Sequence, residues 1–380
     1  MSDSQILALE SYHGGSHRRF LDDLRRHLAP GCHFELLSLP ARGWKWRMRL
    51  AALFFARQLT AATEAGRIRP GGRILCSSLL DVAALRGLLP AAWQRVPICL
   101  YFHENQFAYP VRHASHRDLQ FALTNYTAAL AADRVAFNSA HNRETLLWGC
   151  RKLLKRAPDM KELVGGVEEI AAKSEVLPPG LELAAVDQAA PEQPEPVTTD
   201  TANQPPVILW NHRWEYDKQP ELFFAALRQL AADNFPFRLI MAGEGGNARD
   251  ELFTRARRDL APWIRHWGYA PRRQDYLRLL HQADVVVSTA AHEFFGLAVL
   301  EAVRAGCRPL LPARLAYPEI YPARYLYGDD SKLVSALKAA CRAGRLEPAE
   351  ARRLTAAYDW PRLVPDYQRW LGCLSPGNGD

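Results

Sequence analysis

Residues 285–301 read Val285-Val286-Val287-Ser288-Thr289-Ala290-Ala291-His292-Glu293-Phe294-Phe295-Gly296-Leu297-Ala298-Val299-Leu300-Glu301. Three consecutive valines predict a short strand, Val285–Ser288, buried on both faces. From Gly296 to Ala305 the spacing is helical, and Gly306 closes it. The polar stretch between them, centred on His292-Glu293, is then the loop of a strand–loop–helix unit. Phe295, Gly296 and Leu297 would present unpaired backbone N–H groups at the helix start, suited to an anion or sugar hydroxyls. Glu293 falls in the loop. Glu301 falls about one turn into the helix among apolar neighbours, where a carboxylate is costly unless something binds it.

The same alternation runs outward in both directions. Strands are predicted at Val207–Trp210, Arg238–Ala242, Ile264–Trp267 and Arg308–Leu311, with helices at Gln219–Asn234 and Arg249–Leu260. Toward the N-terminus, Ile6–Leu9, Phe34–Leu39, Arg73–Cys76, Ile98–Phe102 and Arg134–Asn138 read as strands. Helical patterns lie between them, including His17–Leu28. Strands alternating with helices predict parallel βαβ units. The predicted fold class is α/β: two Rossmann-like, doubly wound parallel-sheet lobes facing a central cleft, with loops at the carboxyl ends of the strands carrying the ligand site.

Residues 184–206 interrupt this pattern with five prolines, four acidic residues and no basic one. They predict a solvated linker between a first lobe, 1–183, and a second, 207–360, with a closing helical segment over 361–380. The chain of 380 residues carries 48 Lys plus Arg against 41 Asp plus Glu, a net +7. Residues 1–183 hold 24 basic and 17 acidic groups, so an anionic partner would be met chiefly by the first lobe. No apolar run approaches the ~18 residues of a membrane span, and the N-terminus lacks the basic start and long apolar run of a secretory signal. A soluble, cytoplasmic protein without a membrane partner is expected. The seven cysteines form no CxxC pair, which removes the usual sequence support for a structural zinc site or redox pair.

Several motifs exclude chemistries. Gly243-Glu244-Gly245-Gly246-Asn247-Ala248 fits a dinucleotide fingerprint, but the next strand ends in Trp267-Gly268, without the acid that would hold an adenosine ribose. Gly243 could still cradle a nucleotide diphosphate, or form a plain tight turn. His292-Glu293 and His103-Glu104 both lack the second histidine of a zincin motif, and no metal site is expected. Arg213 and Lys218 follow the strand Val207–Trp210. Five residues apart in one loop, they can converge on a diphosphate and neutralise it as it leaves.

Taken together, Arg213 and Lys218, Gly243 after its strand, and Glu293 and Glu301 before Gly306 resemble the second lobe of retaining GT-B glycosyltransferases. The first lobe narrows the likeness. Glu10-Ser11-Tyr12-His13-Gly14-Gly15-Ser16-His17, Tyr101-Phe102-His103-Glu104-Asn105-Gln106-Phe107, and Phe137-Asn138-Ser139-Ala140-His141-Asn142 are similar to segments of the tRNA-queuosine α-mannosyltransferases. The resemblance implies transfer of mannose from GDP-mannose to the cyclopentene diol of queuosine in the tRNA-Asp anticodon, with no metal or other cofactor. It implies that Arg213 and Lys218 bind the diphosphate, Glu301 holds the ribose, and Glu293 with the Phe295, Gly296 and Leu297 amides grips the mannose. His103 would reach the sugar from the facing lobe, and Gly14 and Gly15 would admit the phosphates. Glu293 and His103 would be the groups at the reacting centre. Attack on the face that the diphosphate leaves would retain configuration without a protein nucleophile, unlike a glycosidase with two opposed carboxylates.

For the acceptor, Arg42-Gly43-Trp44-Lys45-Trp46-Arg47-Met48-Arg49 interleaves cations with aromatic rings. Trp44, Lys45, Trp46, Arg47 and Arg49 could pair phosphates and stack bases, or simply start an amphipathic helix running into Leu50–Leu59. Asn105 and Gln106 are candidate acceptor contacts. Two other readings remain at this point: a transferase acting on a glycan or lipid, and a binding module for nucleotide-sugar or RNA without turnover.

Overall fold

A computed structural model of the chain describes residues 4–29, 31–110, 118–191, 204–243, 245 and 251–373. It divides into two compact units, Met1–Gly180 with Trp360–Asp380, and Leu181–Asp359.

In the first unit six parallel strands, β1 (Ser4–His13), β2 (Cys32–Pro40), β3 (Arg73–Ser77), β4 (Ile98–Phe102), β5 (Arg134–Phe137) and β6 (Ser174–Val176), lie in the order β2-β1-β3-β4-β5-β6. Helices α1 (Gly15–Leu28), α2 (Trp44–Glu64), α3 (Val82–Leu88), α4 (Leu119–Ala131), α5 (Ala140–Leu154) and α6 (Gly165–Ala172) supply the connections. Alternate residues of each central strand enter opposite cores. Leu7, Leu9, Ile74, Cys76, Ile98 and Leu100 fill one, and Ile6, Ala8, Leu75, Cys99 and Tyr101 the other. Burial on both faces is why these strands read as unbroken apolar runs.

The second unit holds β7 (Val207–Trp210), β8 (Arg238–Ala242), β9 (Ile264–Gly268), β10 (Val285–Val287), β11 (Arg308–Pro312) and β12 (Leu326–Tyr327), in the order β12-β11-β10-β7-β8-β9. Its helices are α7 (Leu183–Gln188), α8 (Pro220–Ala232), α9 (Glu251–Asp259), α10 (Arg273–His281), α11 (Leu297–Arg304), α12 (Tyr317–Ile320), α13 (Leu333–Ala343) and α14 (Pro348–Thr355). The strand order reverses between β7 and β10 here, and between β1 and β3 in the first unit. In open parallel sheets, ligands bind at the carboxyl ends flanking such a reversal.

After α14 the chain returns to the first unit as α15 (Trp360–Leu371). The Tyr367 hydroxyl donates to Pro178 O at 3.0 Å, and Arg134 donates to Trp370 O at 2.7 Å. A Cβ on Gly180 would lie 2.3 Å from the Trp360 ring, so only glycine allows this packing.

The linker expectation needs correction at its start. Residues 184–188 belong to α7, whose Leu183 and Val186 are buried in the second unit's core. The second unit begins at Leu181, whose N–H bonds Tyr358 O at 2.8 Å. Residues 192–203 lie outside the described residues, as do Glu244, Gly246, Asn247 and Ala248 of the glycine motif. Among the described residues, no helix is long and apolar enough to cross a membrane, and all seven cysteines are buried and unpaired.

Candidate active site

In the second unit the polar groups gather at the ends of β7 and β10, on either side of the order reversal. After β7 the chain makes a single 3-10 turn, Tyr216–Lys218, and Gln219 adopts a left-handed conformation with φ 47°. Pro220, suited to a first helical position, then starts α8. The turn is stitched to the loop after β10. Thr289 Oγ1 donates to Lys218 O at 2.7 Å, and the Asp217 carbonyl accepts the N–H groups of Ala291 at 2.8 Å and His292 at 3.3 Å.

These bonds bury Lys218 and aim its ammonium at three acceptors: His292 O at 2.7 Å, Glu293 Oε2 at 3.2 Å and Asp217 Oδ2 at 3.3 Å. Burial alone would lower its pKa, but Glu293 and Asp217 reverse the effect and raise it. Lys218 is therefore a permanent buried cation. Glu293, despite its own burial, is held below its ordinary value chiefly by the charge of Lys218. Asp217 is likewise held low against burial, by His292, whose Nδ1 lies 3.8 Å from its Oδ2, and by the charge of Lys218. His212, buried beside Lys218, is pushed down to about 4 by desolvation and that charge, so it is neutral.

Glu301 occupies α11 with 2% exposure, and its two oxygens face the guanidinium of Arg273, with Arg273 Nη1 3.1 Å from Oε2. The Arg273 guanidinium also lies over the Tyr276 ring at 5.3 Å, and the Tyr276 hydroxyl accepts from Asn211 Nδ2 at 3.1 Å. Gly296, the α11 cap, has φ 96° and faces Tyr317 so closely that a Cβ would lie 3.1 Å from its ring. Phe295 is buried and its N–H points to Glu293 Oε1 at 3.4 Å, while Leu297 begins the helix. At Gly243 a Cβ would sit 2.0 Å from His212 O, so glycine is required there by backbone crowding. Arg213 is largely exposed and pairs with Glu215 at 2.9 Å. Its charge nevertheless reaches Lys218, where it lowers the pKa. The expected convergence of Arg213 and Lys218 is thus partial: neighbours in one loop, with different partners. Glu293 and Glu301 also have separate partners.

In the first unit the corresponding ends are those of β1 and β3. Glu10 accepts Ser77 Oγ at 2.9 Å and Tyr12 N at 2.7 Å. His17, on α1, stands between two carboxylates: Nδ1 is 3.4 Å from Glu10 Oε2 and Nε2 is 3.2 Å from Glu104 Oε2. Desolvation would strip its proton, but Glu104 and Glu10 push its pKa up to about 10. His103 follows β4, its ring 4.1 Å from that of His17. Burial and the His17 charge hold it well below the ordinary histidine value. Gly14 and Gly15 begin α1. A Cβ on Gly14 would strike Ala41 at 2.5 Å, and Gly15 has φ 52°. Glu10, His17 and His103 bring possible ligand atoms within 4.8 Å of one another. With a carboxylate at each nitrogen, His17 as an imidazolium donates on both sides.

Asn105 is a correction. It is fully buried, and its amide is spent on the protein: Nδ2 donates to Asn142 Oδ1 at 2.8 Å and Oδ1 accepts from Phe107 N and Ala108 N at 3.0 Å. It braces the loop after β4 and offers nothing to an acceptor. Gln106 is buried as well, its N–H bonded to Asn125 Oδ1 at 2.8 Å. The cation–aromatic stretch separates into two faces of α2. Trp44 packs near Phe121 and Tyr109, with Lys45 5.8 Å from its ring and Arg49 over Phe121 at 4.8 Å. Arg47 donates to Pro40 O at 3.1 Å, whereas Trp46 is 71% exposed.

Sequence reading passed over Arg273, Asp217, His212 and the carboxylate pair around His17. Arg273 and Glu104 gain their meaning from partners distant in sequence, Glu301 and His17.

Comparison with known proteins agrees with this layout. Residues 5–181 match the family model described as tRNA-queuosine alpha-mannosyltransferase N-terminal, and residues 193–321 match glycosyl transferases group 1. The chain is 36% identical over 375 residues to the tRNA-queuosine alpha-mannosyltransferase of Drosophila melanogaster, covering 95% of each. A glycogen synthase of Mycobacterium tuberculosis is 30% identical over 174 residues, 42% of this chain and 41% of that protein. Among solved structures, a glycosyltransferase from Rickettsia africae aligns with TM-score 0.70 and 14% identity, covering 99% of this chain and 100% of that one. The sucrose-phosphate synthase of Thermosynechococcus elongatus aligns with TM-score 0.65 and 17% identity, covering 96% and 98%. These structural likenesses speak for the fold.

Proposed function

The chain belongs to the tRNA-queuosine alpha-mannosyltransferase family, and from that premise we propose that it transfers mannose from GDP-mannose to queuosine in tRNA-Asp, with retention of configuration. The observation that carries the chemical part is Lys218, a buried cation fixed at the carboxyl end of β7 and surrounded by carboxylates. A donor diphosphate arriving there would find a charge already desolvated, and would take the ammonium over from Glu293 or Asp217 as the leaving group gains charge. Arg213, exposed beside it, would swing from Glu215 to supply a second, forked contact. Two protein cations in this position would make a divalent ion unnecessary.

Glu301 would take the ribose hydroxyls, which requires Arg273 to yield at least one carboxylate oxygen. Glu293 and the amides at the start of α11 would hold the mannose. In the first unit Gly14 and Gly15 would let backbone approach the phosphates, and uncharged His103 would meet a hydroxyl of the reacting sugar. The exposed Trp46 with Lys45 and Arg49 on α2 supports an RNA acceptor.

The test is incubation of the purified chain with GDP-mannose and queuosine-containing tRNA-Asp in the presence of EDTA, followed by mass spectrometry of the digested tRNA. A nucleoside heavier by one hexose is the expected product. Absence of that product, with hexose appearing on a glycan or lipid, would overturn the reading, as would transfer that stops on chelation for its metal-free part.

A further inference from the structure

His17 is a buried charged side chain with a carboxylate at each ring nitrogen. We propose that His17, clamped between the carboxylates of Glu10 and Glu104, is a positioning residue that fixes the ring of His103 and keeps it uncharged. The proposal rests on the role given above to His103 at the reacting sugar.

The geometry has three parts. His103 is gripped by rings: His17 at 4.1 Å and tilted 34°, Phe20 edge-on at 4.9 Å, and Tyr101 edge-on at 4.7 Å. Its backbone is pinned by Asn138 Nδ2, which donates to His103 O at 2.7 Å. Behind it, His17 cannot turn, because each of its nitrogens faces a different carboxylate, and those carboxylates are themselves held by Ser77 and Ser78. The charged groups around His103 are therefore His17 from α1, Glu10 from β1 and Glu104 from the loop after β4. Tyr101 and Cys76, which line the same small cavity, are both pushed up by burial and stay neutral.

An uncharged imidazole can accept from one hydroxyl and donate to another, whereas an imidazolium only donates. A charged His103 would also oppose a sugar that gains positive charge as its diphosphate departs. His17 supplies the local cation that prevents this, and the two carboxylates leave the cluster at a net −1. Replacing His17 by glutamine removes the cation and exposes His103 to two uncompensated carboxylates, which favours its protonation.

The experiment is an NMR titration of the imidazole resonances in the full-length, isotope-labelled chain, with His103 assigned from a His103→Gln spectrum. In the unaltered protein His17 should remain charged through pH 8 and His103 neutral at pH 5.5. In His17→Gln the His103 midpoint should rise to about the ordinary histidine value of 6.5, and kcat/KM at pH 6 should drop about fourfold relative to pH 8. A wild-type His103 that titrates near an ordinary histidine value, or a midpoint unmoved by His17→Gln, would overturn the proposal. If that variant does not fold, the wild-type titration alone decides. The titration reads the clamp without needing turnover. Failure of mannose transfer with both rings behaving as stated would therefore count against the proposed function and leave the clamp standing.

Discussion

Both units build the same electrostatic device from different residues. In the second, a lysine is buried among Glu293 and Asp217 with neutral His212 beside it. In the first, a histidine is buried between Glu10 and Glu104 with neutral His103 beside it. Both sit where the strand order reverses. The cations differ: Lys218 has three donors on a flexible stem and keeps its charge across physiological pH, as suits a group that must meet an incoming diphosphate. His17 is a rigid ring whose charge depends on its neighbours, as suits a spacer that orients another ring. One device is built for a ligand, the other for a side chain.

Removing the two cations should break the symmetry. Lys218→Met takes away the proposed leaving-group contact and strands two buried carboxylates. Transfer should fall by roughly 10²–10³, and unfolding free energy by about 3–5 kcal/mol, read by initial rates and urea titration. Lys218→Arg should recover stability more than rate. His17→Gln should retain most turnover at pH 8. Comparable losses of rate at pH 8 in Lys218→Met and His17→Gln would contradict the division of labour.

Stability against pH separates the devices again. The raised pKa of His17 makes its stabilisation fully present below the unfolded value near 6.5 and progressively lost as pH rises toward about 10. His212, depressed to about 4, contributes in the opposite sense, with stabilisation present above 6.5 and lost as pH falls toward 4. Stability should peak near pH 6.5 and decline on the alkaline side by on the order of a few kcal/mol, equivalent to ~10 °C in Tm. His17→Gln should flatten the alkaline limb and soften the acid limb, to which His103 contributes only while its midpoint stays depressed, as calorimetry from pH 5 to 10 would show.

The third contrast lies within the second unit. Glu301 has both oxygens on Arg273, so donor binding must compete with an existing ion pair. Glu301→Gln weakens the proposed ribose contact, and donor affinity should fall by ~1.5–3 kcal/mol, seen as a rise in donor KM with tRNA KM unchanged. Arg273→Gln should have the smaller effect, since it frees the carboxylate while leaving it buried. A rise in tRNA KM of equal size would place Glu301 outside the donor site.

Much of the fold was legible because the central strands are buried on both faces. Val207–Trp210 and Ile98–Phe102 match their predicted limits for that reason. The three-residue β6, none of it buried, and the two-residue β12 carry no such run and were passed over. The site divides similarly. Lys218 and Glu293 each lie in a loop beside a strand that could be identified, so local spacing found them. Arg273 lies 28 residues from Glu301, and Glu104 lies 87 from His17, so no local pattern could pair them. Asn105 misled because a polar residue after a strand looks available for a ligand, while its hydrogen bonds to Asn142 and two backbone amides become visible only in three dimensions. The α7 segment misled in the opposite direction, since a proline-rich context hid Leu183 and Val186, which the second unit buries.

The smallest expected effect concerns the acceptor, which the proposed function assigns to the basic first unit. Trp44 and Trp46 are two residues apart yet do different work. Trp44 is held among Tyr109, Phe121 and Met48, so Trp44→Ala should lower stability, with tRNA affinity changing only as the α2 start loosens. Trp46 projects into solvent, so Trp46→Ala should leave Tm unchanged and weaken tRNA binding by about 1–2 kcal/mol if a base stacks on it. Arg49→Ala should reduce the slope of log affinity against log salt by about one if its guanidinium meets a phosphate. None of these changes should alter donor affinity, because none of the proposed donor contacts lies on α2. Salt titrations of tRNA binding alongside calorimetry with GDP would register any crossover, and a Trp46→Ala variant that loses GDP affinity would overturn the assignment of this helix to the acceptor.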